Sequence, residues 1–215
     1  MQKSKALPKN HFRLIWLLLI LLFSFSGLFI LSACSQNSEP VASSAGSSPE
    51  FAENAANTNP GVLNEEDKVL SLEGYGAKGA LADTDLSIAD MLVYAVQDEY
   101  LARGEYAAII EKFGSQNPYK NIILAEETHI AYLEEIYTVY DMTFPDDNSD
   151  EHIVVPQDLL EAAQTGVQAE IDNIAMYELF LSNQLPEDIY QVFSALKNAS
   201  ESHLLAFQKQ VDKLS

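Results

Sequence analysis

The 215-residue sequence is poor in three things, and each absence excludes a class of protein. It has one cysteine, so an intrachain disulfide, a Cys-rich metal site and a disulfide scaffold are all excluded. It has only 12 Lys+Arg against 32 Asp+Glu, which leaves no basic surface for phosphates and rules out nucleic acid as a general partner. It shows no internal repeat and no alternating strand pattern that competes with helix. What holds such a chain together is a helical core.

The scarce basic residues are also unevenly placed. Lys3, Lys5, Lys9 and Arg13 precede an almost wholly apolar run from Leu14 to Leu31, and from Cys34 onward 8 basic residues face 32 acidic ones, a formal charge of −24. A basic segment, an apolar segment and small residues before a cleavage point make an export signal. The tetrapeptide Leu31-Ser32-Ala33-Cys34 resembles the bacterial lipobox, whose cysteine becomes the lipidated first residue of the mature protein. The competing reading is a plain transmembrane anchor, since the run is just long enough to span. Cys34 directly at its end favours lipidation. The expected organisation is a signal peptide over residues 1–33, lipidated Cys34 with a Ser-, Ala-, Asn- and Pro-rich tether over 34–66, and one domain over 67–215. The expected location is the cell envelope, with the domain outside the cytoplasm and tied to a membrane.

In the domain the apolar spacing predicts four helices. From Ser87, Leu92, Ala95, Val96, Ala102, Tyr106, Ile109, Ile110 and Phe113 recur at helical intervals, with Ser87 and Asp90 as a capping box and Gly114 as a stop. A second helix opens at Asn117-Pro118 and carries Ile122, Ile123, Ile130, Leu133, Ile136, Tyr137 and Tyr140 on one side. A third runs from about Pro156 to Ser182 and a fourth from about Pro186 to Lys213. Short links around Gly114–Pro118 and Ser182–Pro186 force antiparallel neighbours. The middle link, roughly Asp141–Val155, is long enough for a crossover along a helix of ~30 Å. The fold class is all-α, an antiparallel four-helix bundle with a crossover between its second and third helices.

Polar residues interrupt the apolar stripes at one place on each helix. Glu99 lies among Ala95, Val96, Ala102 and Tyr106; Glu126 and His129 lie among Ile122, Ile123, Ile130 and Leu133; Glu170 shares a stripe with Val167, Ile174 and Tyr177; His203 follows Leu196 and Ala199 and precedes Phe207. Buried carboxylates are costly unless paired, protonated or bound to a cation, so Glu99, Glu126, His129, Glu170 and His203 are candidate metal ligands. The competing reading is an interior hydrogen-bond and salt-bridge network, with Arg103 pairing a carboxylate and the histidines neutral. Depths counted from the helix ends differ by one to one and a half turns and leave a single shared site undecided.

The segments Asp98-Glu99-Tyr100-Leu101-Ala102-Arg103, Asn121-Ile122 with Glu126-Glu127-Thr128-His129, Gly166-Val167-Gln168-Ala169-Glu170 and Ser200-Glu201-Ser202-His203-Leu204-Leu205-Ala206-Phe207 resemble, in order, the motifs of an uncharacterised ferritin-like domain family. The resemblance implies a ferritin-like bundle with a carboxylate and histidine site at its centre. A full di-iron site takes one Glu from each of two helices and Glu-x-x-His from each of the other two. Here Ser200 stands three residues before His203, and Asn173 stands where similar domains tend to carry Asp. Two histidines and three carboxylates remain, a set for one ion and a thin one for two.

Thiolate-free ligands suit iron, manganese or zinc, and the resemblance favours iron. The function read from these residues is an exported, lipid-anchored domain binding one or two metal ions, for oxidoreductase chemistry or iron handling. The alternative is a non-catalytic envelope binding or structural lipoprotein with a relic polar core. The lone cysteine makes no rubredoxin-like centre, so turnover calls for an external electron donor; an envelope protein partner and a homo-oligomer are compatible with the acidic surface.

Other signals are declined. Gly74-Tyr75-Gly76-Ala77-Lys78-Gly79 fits the spacing of a dinucleotide loop but no strand precedes it, and its glycines are expected to form a loop. Asp146, Asn148 and Asp150 begin a calcium-loop pattern that Glu151 and Gln157 break. The tyrosines near the site, Tyr106, Tyr132 and Tyr177, are expected as core residues, and His152 as an exposed ring in the link.

Overall fold

The structure, a computed structural model, describes Leu63, Leu72 and residues 74–215. The expected export signal, Cys34 and nearly all of the expected tether lie outside the described residues. The elements are α1 (Gly76–Ala82), α2 (Ile88–Phe113), α3 (Tyr119–Val139), a 3-10 turn (Ser149–Glu151), α4 (Leu159–Leu181) and α5 (Glu187–Leu214). Among the described residues there is no strand, and no helix is long and apolar enough to cross a membrane.

The start of α2 follows the sequence closely. Ser87 Oγ accepts the Asp90 N–H at 3.1 Å while Asp90 Oδ2 accepts the Ser87 N–H at 3.0 Å, so two otherwise orphaned donors are satisfied reciprocally. At the other end Gly114, at φ +86°, turns the chain away. Asp158 caps α4 by accepting the Glu161 N–H at 2.9 Å. Helix α5 follows Pro186, with Glu187 and Asp188 in the first turn against its positive end.

Side-chain pairs give the directions of the long helices. Glu99 meets His129 and Tyr106 meets Tyr119, so α2 and α3 run antiparallel. Tyr177 meets Glu99 and Tyr106 meets Glu170, so α4 is also antiparallel to α2. Asn173 meets Ser200 and Tyr177 meets Phe193, which sets α5 antiparallel to α4. Helices α3 and α4 therefore point the same way, and the link between them must travel back a full helix length. It does so along α2: Pro145 O accepts from Tyr100, Asp147 pairs with Arg103 at 2.5 Å, and Pro156 O accepts from Lys112.

Helix α1 is a correction to the expected loop. Its amino end is held by side chains of α2, where Gln97 Oε1 accepts the Gly76 N–H at 3.1 Å and Asp98 Oδ1 accepts the Ala77 N–H at 2.7 Å. Gly76 sits at φ +56°, and a Cβ there would stand 2.7 Å from Asp98 Oδ1, so glycine is what allows this approach. Seven residues including two glycines have too little propensity to signal a helix; tertiary hydrogen bonds form it.

The apolar core is divided. One cluster contains Leu92, Val96, Leu133, Tyr137, Met176, Phe180, Phe193 and Leu196. The other contains Tyr106, Ile109, Tyr119, Ile122, Ala162 and Phe207. Glu99, Glu126, His129, Glu170, Asn173, Ser200 and His203 fall between these clusters along the four long helices, so this polar layer has apolar side chains above and below it.

Candidate metal centre

Each long helix delivers its polar residues to this layer because the apolar periodicity that buries its neighbours also fixes where these side chains point. The structure brings together all five predicted residues, and Glu99, Glu126, His129, Glu170 and His203 are each exposed by less than a tenth of their surface. His129 Nδ1 lies 3.0 Å from Glu99 Oε2 and 2.9 Å from Glu126 Oε2. His203 Nδ1 lies 3.3 Å from Glu126 Oε1 and 3.5 Å from Glu170 Oε1. The imidazole rings stack 5.7 Å apart. Two groups with metal-ligand spacing result, Glu99–Glu126–His129 and Glu126–Glu170–His203, and they share Glu126. The depth mismatch counted from sequence does not keep the residues apart, since Glu99 meets His129 and Glu170 meets His203.

Two tyrosines complete the arrangement symmetrically. Tyr177 donates to Glu99 Oε1 at 2.7 Å and Tyr106 donates to Glu170 Oε1 at 3.0 Å, so each outer carboxylate is oriented by one phenol. Burial, reinforced by the nearby carboxylates, pushes both phenols well above their ordinary range, so they donate as neutral hydroxyls. Tyr132 lies elsewhere, half-buried against the first apolar cluster.

The electrostatics of the centre differ from the neutral histidines of the competing hydrogen-bond reading. Burial alone would lower His129, but the Glu99 charge and the hydrogen bonds to Glu126 and Glu99 outweigh it and raise the imidazole to about 10. For His203 burial is outweighed by the hydrogen bonds to Glu126 and Glu170, and the ring rises to about 9. Burial would raise Glu126, yet the hydrogen bonds from both histidines hold it below the usual carboxylate value. Glu99 goes the other way, with burial exceeding the His129 attraction and lifting it to about 7. Both imidazoles are thus held toward their protonated form by the carboxylates that face them. Arg103 takes no part: it pairs with Asp147 on the link, at the surface.

Asp98 is the residue that sequence reasoning missed. It lies beside Glu99 but a helical step around α2, where Oδ2 accepts from Asn173 Nδ2 at 2.5 Å and Oδ1 accepts from Ala77. Ser200 hydrogen-bonds in turn to Asn173 Oδ1 at 2.5 Å. The signal available was the pairing of two departures, Asn173 and Ser200, whose short polar side chains need a partner once buried. His152 is exposed as expected, stacks on Tyr75 with ring centroids 3.9 Å apart, and belongs to neither ligand group.

Fold and site together define an all-helical protein with buried Glu/His groups able to hold a metal ion. Residues 88–214 match the family described as Uncharacterized protein domain (DUF2202), and the chain belongs to that family, the one its motifs resemble. Its fold is similar to the crystal structure of a hypothetical protein from Methanococcus jannaschii DSM 2661, with a TM-score of 0.53 and 20% identity over 68% of this chain and 87% of that one. No curated protein matches the sequence.

Proposed function

We propose that α2–α5 form a ferritin-like bundle that binds two metal ions, iron foremost, and that the domain serves oxidation–reduction or iron handling outside the cytoplasm from a lipid anchor on Cys34. The observation that carries this reading is Glu126, whose two oxygens face the two histidines and which belongs to both three-ligand groups. The up-down-down-up order with a long middle link is the connectivity of ferritin-like bundles. Oxygen and imidazole donors without thiolate fit iron, with manganese and zinc as the other ions such a set accepts. Iron bound there would supply one-electron chemistry toward dioxygen or peroxide.

The chain's own residues support that role in definite ways. Glu126 spaces the two positions, Glu99 and Glu170 close them from opposite helices, and Tyr177 and Tyr106 fix the outer carboxylates. The two apolar clusters keep bulk water from both ends of the layer, which strengthens every charge interaction within it. Electrons must come from an external donor. The anchor is supported by the basic, apolar and small-residue order that ends at Cys34.

A second reading is favoured by Ser200, which stands where a fourth carboxylate would complete the set, and by the internal hydrogen bonding of the metal-free core. In it the domain is an envelope binding module with a relic centre. Metal analysis of protein purified without a chelating tag separates the two. The metal reading expects about two ions per chain, one of them lost in His129→Ala and both kept in His152→Ala. Absence of stoichiometric metal, together with a higher melting temperature in Glu99→Gln or His129→Gln, would establish the binding module instead. For the anchor, Cys34→Ser should leave an unlipidated precursor, and unchanged mass and membrane partitioning would refute it.

A further inference from the structure

The polar layer holds a cavity of about 20 Å³, room for one water, and the carboxylates of Glu99, Glu126 and Glu170 line it. Its lining residues on α3 and α5, Glu126 and Ser200, are buried. The lining residues that keep some exposure, Asp98, Ala102 and Ala169, all belong to α2 and α4. The way from the cavity to solvent therefore lies between these two helices.

Helical geometry explains why a gap opens there. Across the antiparallel pair α2 and α4, Asp98 accepts from Asn173 at 2.5 Å. One turn further along, four residues after Asp98 and four before Asn173, the facing residues are Ala102 and Ala169. Beyond them the helices are joined again by Tyr106, which donates to Glu170 at 3.0 Å. Two methyl groups thus stand between two hydrogen-bonded pairs, which hold the helices apart without filling the space. The Asp98 side of the gap also carries the amino end of α1 through the Ala77 N–H.

Charge along this line is acidic at both levels. Outside, half-buried Glu105 accepts from the Val154 N–H and lies near Asp98, with Lys78 of α1 as the basic group that faces it. Inside stand Glu99, Glu126 and Glu170, while His129 and His203 do not line the cavity. A narrow cleft of one sign with apolar walls concentrates counter-ions and repels ions of its own sign.

We propose that divalent metal cations reach the buried layer through the gap between Ala102 and Ala169, drawn in by Glu105 and Asp98, and that anions are turned away there. The proposal rests on the metal reading of the centre.

Two measurements on the full-length chain test it. In Cys34→Ser protein carrying Ala169→Cys, the lone thiol should react with methanethiosulfonate reagents. Its preference for the cationic aminoethyl over the anionic sulfonatoethyl reagent should exceed that of Leu205→Cys, an exposed control on α5, by about tenfold. An unreactive thiol at 169, or the same preference at both positions, overturns the proposal independently of metal. With cobalt(II), whose visible absorption reports coordination, Ala102→Leu should fill the gap and slow uptake by about tenfold or more while equilibrium occupancy stays at the wild-type level. Ala169→Gly, which widens the gap without crowding the helices, should speed uptake. Ala125→Leu, at a half-buried residue of α3 outside the cavity lining, should load at the wild-type rate. Wild-type rates in both Ala102→Leu and Ala169→Gly overturn the route. Wild-type protein that holds no cobalt at equilibrium overturns the metal reading, and the route with it.

Discussion

Glu126 touches both histidines of the centre, with Oε2 at 2.9 Å from His129 Nδ1 and Oε1 at 3.3 Å from His203 Nδ1. Glu99 and Glu170 each reach one. Removing Glu126 should therefore weaken both metal positions, whereas removing either outer carboxylate should weaken one. Loss of an outer-shell partner costs ~10–100-fold in metal affinity, and a direct shared ligand should cost more than about 100-fold. Isothermal titration of Glu126→Gln, Glu99→Gln and Glu170→Gln with ferrous or manganous ion checks this. Equal losses in all three variants would contradict the shared role.

The two phenols make a matched experiment. Tyr177→Phe frees Glu99 and Tyr106→Phe frees Glu170, each without changing ring volume. In the metal-free protein each should cost about 1.5–3 kcal/mol, the worth of a hydrogen bond to a charged group. In the loaded protein each should lower the affinity of one ion by ~10–100-fold and leave the other nearly unchanged. Two-step binding isotherms would show the selectivity, and a loss shared evenly between the steps would argue against two separate positions.

How much of this was legible in the sequence depends on range. Glu99, Glu126, His129, Glu170 and His203 were readable because each interrupts an apolar stripe, and helical periodicity alone aims it at the core. The capping box at Ser87 and Asp90 was readable because it is local. Helix α1 was not, since its amino end is fixed by Gln97 and Asp98, 21 residues away in sequence. The Arg103–Asp147 pair spans 44 residues for the same reason, which is why Arg103 was a candidate partner for the core and is found on the surface. The halving of the core into two clusters could be seen only after the register of four helices was known.

Packing around the cluster of Tyr106, Tyr119 and Phe207 supplies a stability test. A Cβ on Gly166 would stand 2.8 Å from Phe207 Cδ1, and Phe207 is fully buried against Tyr106 and Tyr119. Gly166→Ala gains up to about 1 kcal/mol of helix propensity. Displacing a packed ring costs about 1–3 kcal/mol, so the net effect should be a loss of up to about 2 kcal/mol. Thermal or denaturant unfolding measures it. Leu205, on α5 but 67% exposed, should tolerate Ala with little change and serves as the control.

The centre should give metal-free and metal-loaded protein opposite responses to pH. In the metal-free state His129 and His203 are raised from the ordinary 6.5 to about 10 and about 9, so between those values the native state holds more protons than the unfolded chain. Stability from the two imidazoliums is thus complete below about pH 6.5 and is lost as pH rises through 9 and 10. Glu99, raised to about 7 chiefly by burial, acts with the same sign between 4.5 and 7. Glu126, held low, adds stability that disappears only as pH falls through the carboxylate range. The metal-free melting temperature should therefore peak in mild acid and decline across neutral to alkaline pH. Metal must displace both imidazole protons, so loading near pH 7 should release about two protons per chain and should tighten as pH rises. Melting curves of both forms across the range, with proton release read in weak buffer, check the pair of statements. A metal-free protein whose stability stays level between pH 7 and 10 would mean that its histidines are neutral, as in the simple hydrogen-bond network.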